Sequence, residues 1–135
     1  MGITINLQYD GKLRSSSTHV KSGTLLQTDA PTDNQGLGTT FSPTDLTATS
    51  LVSCMITVMG IKAQAANILF SNVKATCTKV MTSNPRRISE LIIEIVIDHN
   101  WTLNQKEIMQ TTALDCPVAL SLHPSIKQTV TFTYA

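Results

Sequence analysis

Along residues 3–9 apolar and polar positions alternate, with Ile3, Ile5, Leu7 and Tyr9 set against Thr4, Asn6 and Gln8. That is the period-2 pattern of a half-buried strand. Asp10-Gly11 is a hairpin turn signal, and residues 13–20 and 24–28 predict second and third strands around a turn at Lys21-Ser22-Gly23. The chain therefore opens on an antiparallel meander. Residues 30–40 hold Pro31, Asp33, Asn34, Gly36 and Gly38 with no apolar run, the mark of a loop. The loop ends at Ser42-Pro43-Thr44-Asp45. Ser42 suits the helix N-cap, Pro43 the first helical position, and Asp45 the acid of a capping box. The helix they open is expected to run to about residue 67. Apolar residues cover nearly all its faces: Leu46, Ala48, Leu51, Val52, Met55, Ile56, Val58, Met59 and Ile61. A helix apolar all round is a buried one, and a chain of 135 residues has little to bury it in. Association of copies around this helix is the expected solution.

Residues 73–82 and 88–98 predict two long strands joined by Ser83-Asn84-Pro85-Arg86-Arg87. The run Leu91-Ile92-Ile93-Glu94-Ile95-Val96-Ile97 is β-branched and almost continuous, which predicts a central strand covered on both faces. Leu103-Asn104 opens a second helix, with Asn104 as its cap and Ile108, Met109, Ala113 and Leu114 facing inward. Cys116-Pro117 breaks it and starts a short helix to about Leu122. A last strand spans residues 125–134, alternating through Ile126, Gln128, Val130, Phe132 and Tyr134. The order β-β-β-α-β-β-α-α-β is that of an α+β fold, and the length fits one domain over residues 1–135.

Composition narrows the function classes. The net charge of +1 leaves no basic surplus to neutralise phosphates, so neither nucleic acid nor an acidic membrane is an expected partner. The most apolar stretch, residues 51–70, carries Lys62, Gln64 and Asn67, which argues against a membrane span. The start of the chain lacks a basic-then-apolar leader pattern. Three cysteines are poor material for a secreted disulfide framework. A reduced, cytoplasmic protein is expected.

The cysteines admit three readings: inert core residues, a metal site or a redox pair. With no C-x-x-C, and with histidines scattered at 19, 99 and 123, no metal site is expected. Cys77 suits the inert reading, since it alternates inside a strand among Val73, Ala75 and Lys79. Cys54 lies mid-helix and shares its face with Thr47, Ser50 and Thr57, a polar stripe on an otherwise apolar helix. Those hydroxyls either bond back to helix carbonyls or line a small pocket around the thiol. Cys116 precedes Pro117 at a helix N-terminus, where the dipole and free N–H groups favour a thiolate. His123 is read as a cap of the short helix, or as a further wall of the pocket.

The segments around these two cysteines carry a resemblance. Phe41-Ser42-Pro43-Thr44-Asp45-Leu46 with Ser50-Leu51-Val52-Ser53-Cys54-Met55, and Asp115-Cys116-Pro117-Val118-Ala119-Leu120-Ser121-Leu122-His123-Pro124, resemble the OsmC/Ohr family of osmotically inducible and organic hydroperoxide resistance proteins. Thr28-Asp29-Ala30-Pro31 and Asn84-Pro85-Arg86-Arg87-Ile88 extend the likeness over most of the chain. The resemblance implies an OsmC-like fold, with antiparallel sheets wrapped around long central helices in an intertwined homodimer. It also implies a thiol peroxidase that needs no flavin, haem or metal cofactor. Carried onto this sequence, Cys54 is the peroxidatic thiol and Cys116 the resolving one. The substrate is an organic hydroperoxide or hydrogen peroxide, and the reductant is an external dithiol, commonly a lipoyl-bearing protein. Cys54 is too deep in its helix for the N-terminal dipole to help it, and the family uses an arginine from the N-terminal sheet. Arg14 matches best, with Arg86 and Arg87 as weaker alternatives.

One departure stands out. The hydroperoxide-specialised members carry a glutamate directly after the proline, paired with that arginine, whereas this chain has Thr44 there. Asp45 is nine positions from Cys54 and so falls on the opposite side of an ideal helix, which suits its capping role. The missing glutamate sets the chain nearer the broader OsmC-like branch. The alternative to an enzyme is accordingly a non-catalytic, stress-associated dimer that binds a small apolar ligand.

Overall fold

The computed structural model describes residues 2–135. The chain divides into two compact units, one reaching Leu46 and the other starting at Thr47.

The first unit is the expected meander: β1 (Ile5–Gly11), β2 (Arg14–His19) and β3 (Leu25–Asp29), antiparallel in the order β1-β2-β3. The first hairpin closes two residues later than Asp10-Gly11 suggested. Gly11 pairs with Arg14, and Lys12 and Leu13 form the turn at φ 55° and 61°. Two successive left-handed residues suit the right-handed strand twist, although each costs a side-chain-bearing residue about 1–2 kcal/mol. The extra residue is taken up at Asp10, where the register slips. In a single copy Ile5, Leu7 and Tyr9 are about two-thirds exposed, so the expected half-burial of this strand is not met within one chain.

Beyond β3 the loop holds one 3-10 turn, Thr32–Asn34. Its return is so close that a Cβ on Gly36 would lie 1.7 Å from the Ala30 carbonyl oxygen; only glycine fits there. The long helix α1 (Pro43–Ala66) begins as expected. The Asp45 N–H donates to Ser42 Oγ at 3.1 Å, and the Ser42 N–H donates to the Asp45 carboxylate at 2.9 Å, closing a capping box.

Within the second unit α1 buries one stripe, Ala48, Leu51, Met55, Met59 and Ala63, at the 3–4 residue spacing of a single helix face. Ile61 stays exposed and Val52, Ile56 and Val58 only half-buried. Burial on all sides is therefore not achieved by one chain.

The second sheet contains β4 (Lys74–Thr82), β5 (Arg87–Ile97) and β6 (Lys127–Tyr134) in that order. β4 and β5 are antiparallel, but β5 and β6 run parallel, which corrects the expectation of purely antiparallel sheets. The connection contains α2 (Leu103–Leu114) and α3 (Pro117–Ser121). It is long enough for the crossover that a parallel pair demands. β5 is central, as expected, yet covered on one face only: Leu91, Ile93, Ile95 and Ile97 are wholly buried while Ile92 and Glu94 are exposed.

The cap of α2 is Thr102, not Asn104. Gln105 N–H donates to Thr102 Oγ1 at 3.1 Å and Thr102 N–H to Gln105 Oε1 at 3.0 Å, a complete capping box that leaves Asn104 inside the first turn. Met109 and Ala113 face inward as expected, Ile108 partly so, while Leu114 is half exposed. Trp101, almost fully buried, donates its indole N–H to the Leu69 carbonyl at 2.8 Å and ties the end of β5 to the segment after α1.

Truncating Ile95 to alanine removes a fully buried side chain from the central strand and should cost about 2–5 kcal/mol. Thr76→Ala on the exposed face of β4 should stay within about 0.5 kcal/mol. Urea melts of the two variants against the parent check both values.

Candidate functional site

Cys54 and Cys116 meet in the second unit. Cys54 lies one residue before Met55, at the margin of the buried stripe of α1, and is half-buried. Cys116 is fully buried and is the N-cap of α3, its sulfur accepting the Ala119 N–H at 3.4 Å. The two thiols are near enough that Cys54 bears on the ionisation of Cys116, both are free, and both belong to the same apolar cluster.

The expected thiolate at Cys116 is not found. Burial pushes this thiol above its ordinary range, and the neighbouring Cys54 adds to the rise against the lowering by the Ala119 and Val118 N–H groups. Desolvation of the charged form outweighs a helix of only five residues. Cys116 therefore keeps its proton at neutral pH, while Cys54 is the better exposed of the pair. Cys77 alternates inward on β4 as expected, half-buried against the core, and burial raises its thiol too.

The hydroxyls beside Cys54 bond back to their own helix. Ser50 donates to the Thr47 carbonyl at 2.7 Å and Thr57 to the Ser53 carbonyl at 2.8 Å. Of the two readings of that stripe, local back-bonding is the one seen for Ser50 and Thr57. Thr47 is half-buried on the same side of α1. His123 does not cap α3, whose C-cap is Leu122. Its ring Nδ1 accepts the Ser125 N–H at 3.1 Å and meets Ser125 Oγ at 2.8 Å, organising the turn that leads into β6. It is exposed. Arg87, the first residue of β5, donates to the Ile88 carbonyl and to Ser125 Oγ.

Arg14 belongs to the first unit, where a residue that sequence reasoning missed holds it. Arg14 and Asp29 are direct cross-strand partners on β2 and β3, and Arg14 Nε donates to Asp29 Oδ1 at 2.6 Å. Asp29 is wholly shielded from solvent, and its other oxygen accepts the Thr39 N–H at 2.9 Å and the Thr39 hydroxyl. The Thr39 hydroxyl is the main reason the carboxyl is held below the usual range, helped by the Thr39 N–H and by Arg14, with burial opposing. The only signal in the sequence was an acid directly after a predicted strand, inside the Thr28-Asp29-Ala30-Pro31 segment.

Among the described residues no group of three histidines, cysteines or acids is placed to hold a metal ion. The chemistry available is that of two adjacent thiols, one open and one enclosed.

Comparison with known proteins bears on this arrangement. A family described as OsmC-like protein matches residues 36–131. A crystal structure from Psychrobacter arcticus 273-4, of a protein given only a provisional role in the osmotic stress induced and detoxification response, superposes with a TM-score of 0.92. It is 47% identical, over 98% of this chain and 97% of that one. The organic hydroperoxide resistance protein OsmC of Legionella pneumophila has a TM-score of 0.75 at 15% identity, over 98% and 97% of the two chains. That of Elizabethkingia anophelis has 0.74 at 15%, over 100% and 99%. At those identities the last two speak for the fold alone. No curated protein matches the sequence.

The depressed Asp29 carboxyl fixes the sign of a pH effect. A group whose folded pKa lies below its unfolded value of about 3.9 contributes stability that is fully present above that value. The contribution is lost as pH falls through the depressed folded value. Acid titration of the parent should therefore show a loss of stability below about pH 4 that Asp29→Asn lacks. Thermal melts between pH 2.5 and 6 check it.

Proposed function

Since this chain belongs to the OsmC-like family, we propose that it is a cysteine-based peroxidase that reduces organic hydroperoxides, and hydrogen peroxide as a smaller substrate. The observation that carries the reading is the contact between a half-buried and a fully buried thiol, Cys54 and Cys116, on two different elements of one core. Cys54, as thiolate, attacks the peroxide oxygen. The O–O bond breaks, the sulfur gains the hydroxyl as a sulfenic acid, and the alkoxide leaves and takes a proton to become the alcohol. The protonated Cys116 thiol then condenses with the sulfenic acid: an S–S bond forms, and the hydroxyl departs as water with the thiol proton. An external dithiol, of the lipoyl type, reduces the disulfide and restores both thiols.

A raised pKa keeps Cys116 out of the first step; in the second its sulfur attacks as it gives up the proton, which leaves with the hydroxyl as water. A thiolate beside Cys54 would repel the attacking charge and compete for peroxide, whereas a thiol does neither. The positive charge that the attacking sulfur and the departing oxygen need is the role that the family resemblance implies for Arg14. No flavin, haem or metal takes part. A reducing compartment such as the cytoplasm suits a protein that must return to the dithiol state.

The active form is a homodimer. Ile5, Leu7 and Tyr9 on β1, and separately Ile61 on α1, stay exposed in one copy and support it, since each is an apolar face that a second copy can cover. Light scattering at micromolar concentration should give twice the chain mass; a stable folded monomer removes the claim.

The thiol roles separate cleanly by experiment. Cys54→Ser should abolish even a single turnover. Cys116→Ser should consume one equivalent of peroxide, trap Cys54 as a sulfenic acid and over-oxidise in excess peroxide. Cys77→Ser should match the parent. Mass spectrometry of peroxide-treated parent protein should find a Cys54–Cys116 linkage. If it finds neither that linkage nor oxygen on Cys54, the peroxidase reading fails and a non-catalytic dimer binding a small apolar ligand replaces it.

A further inference from the structure

We propose that the hollow between the ends of α1 and β5 and the start of α2 binds a small, neutral, polyhydroxylated ligand, a sugar or cyclitol ring. It lies wholly in the second unit, and neither Cys54 nor Cys116 lines it. The proposal therefore goes beyond the peroxidase reading and does not depend on it. The volume is about 540 Å³, within the range of small-molecule sites.

The polar groups come from three places in the chain. Directly after the isoleucine-rich β5 stands Asp98-His99-Asn100-Trp101, a polar stretch closed by the one tryptophan. Asp98 and Asn100 are exposed there, while Trp101 is almost fully buried. Asn67 enters from the residue after α1, where a left-handed backbone (φ 54°) turns the chain out of the helix. Gln105 enters from the first turn of α2. Among the described residues, the side chains of Asp98, Asn100 and Asn67 make no hydrogen bond or ion pair with the protein. Gln105 is half committed: its Oε1 accepts the Thr102 N–H at 3.0 Å, which leaves its amide nitrogen as an unengaged donor.

The frame that carries these groups is tied together. The Trp101 indole N–H donates to the Leu69 carbonyl at 2.8 Å, joining two segments that both line the hollow. His99 meets the N–H and the carbonyl of Ser71 through Nε2, each at 3.0 Å, and its ring stacks on the indole at 22°. Donors and acceptors held in this way need little ordering when a ligand arrives.

Charge selects the ligand class. The lining contains one carboxylate and no lysine or arginine, and the N-terminus of α2 is already closed by its own capping box. Phosphates and carboxylates thus lack the cationic partner that they favour. A cation would find a single exposed carboxylate, which in water strengthens binding by less than about tenfold. Hydroxyls engage the whole set, because a carboxylate accepts from two neighbouring hydroxyls and each amide both donates and accepts. Leu69, 74% exposed, offers an apolar surface to the C–H side of such a ring.

The test follows the Trp101 indole N–H and the side-chain amides of Asn67, Asn100 and Gln105 by 15N NMR in the full chain. Methyl α-D-glucopyranoside, D-ribose and myo-inositol are added in turn. At least one should give saturable shifts confined to these groups and their neighbours, whereas tetrahydropyran, a ring without hydroxyls, should give none. Asp98→Ala should weaken that binding about tenfold, the loss of one charged acceptor, with the melting temperature unchanged. Asn100→Ala should weaken it severalfold, and is read by the same criterion if Asp98→Ala does not fold. Shifts that grow linearly with all three probes and spread over the surface mean a solvent effect only and overturn the proposal. Ethylammonium chloride acting on the same signals at lower concentration than any polyol overturns it in favour of a cation site. Parent-like binding by both variants overturns it as well.

Discussion

Burial of one stripe of α1 is the constraint on which the thiol site depends. Leu51, Met55 and Met59 are fully excluded from water and belong to the same core as the leucine and isoleucines of β5. Fixing that stripe fixes the rotation of the helix about its axis, and with it the direction of every other side chain on α1. Cys54, 100° from Met55, is thereby held at the edge of the core, neither in solvent nor sealed in. Cys116 reaches the same core from the break between α2 and α3, where Pro117 ends one helix and opens the next. Two thiols far apart in sequence become neighbours because both elements bury against the same sheet. Their difference in access follows from depth alone.

The electrostatics divide in a similar way. In the second unit burial dominates and pushes the Cys116 and Cys77 thiols up, since the Ala119 and Val118 N–H groups offset it only in part at Cys116 and burial alone acts at Cys77. In the first unit the buried anion is Asp29, and a hydroxyl, a backbone N–H and a guanidinium compensate it, so its carboxyl moves down. Loss of water thus ends in opposite shifts, according to how strongly donors converge on the group.

Helix starts were legible where a local motif states them, as at Ser42-Pro43-Thr44-Asp45. The start of α2 was legible too, in Thr102-Leu103-Asn104-Gln105, but there the capping box competed with an asparagine that also suits a cap. The first hairpin turn was missed because Asp10-Gly11 carries the residues that favour left-handed backbone, whereas the strand register placed that strain on Lys12 and Leu13. The direction of β6 could not be read, for alternation reports the period of a strand and not its sense. Cys54 and Cys116 were found because each sits in a distinctive local segment. The Arg14–Asp29 pair was not, since it exists only once the β2–β3 register sets the two opposite each other. The apolar residues of β1 and α1 were read as buried, which holds for only part of them within one copy.

The parallel pairing of β5 with β6 also governs how the chain is made. β5 finds its antiparallel neighbour β4 through a short connection, but its other edge stays open until two helices and a further strand have followed. During synthesis that edge belongs to a strand rich in isoleucine, the kind that pairs readily with foreign strands. The crossover helices that carry Cys116 to Cys54 are thus also what delays closure of the sheet. The layout that brings the thiols together leaves the nascent chain open to misassembly until its last strand is in place.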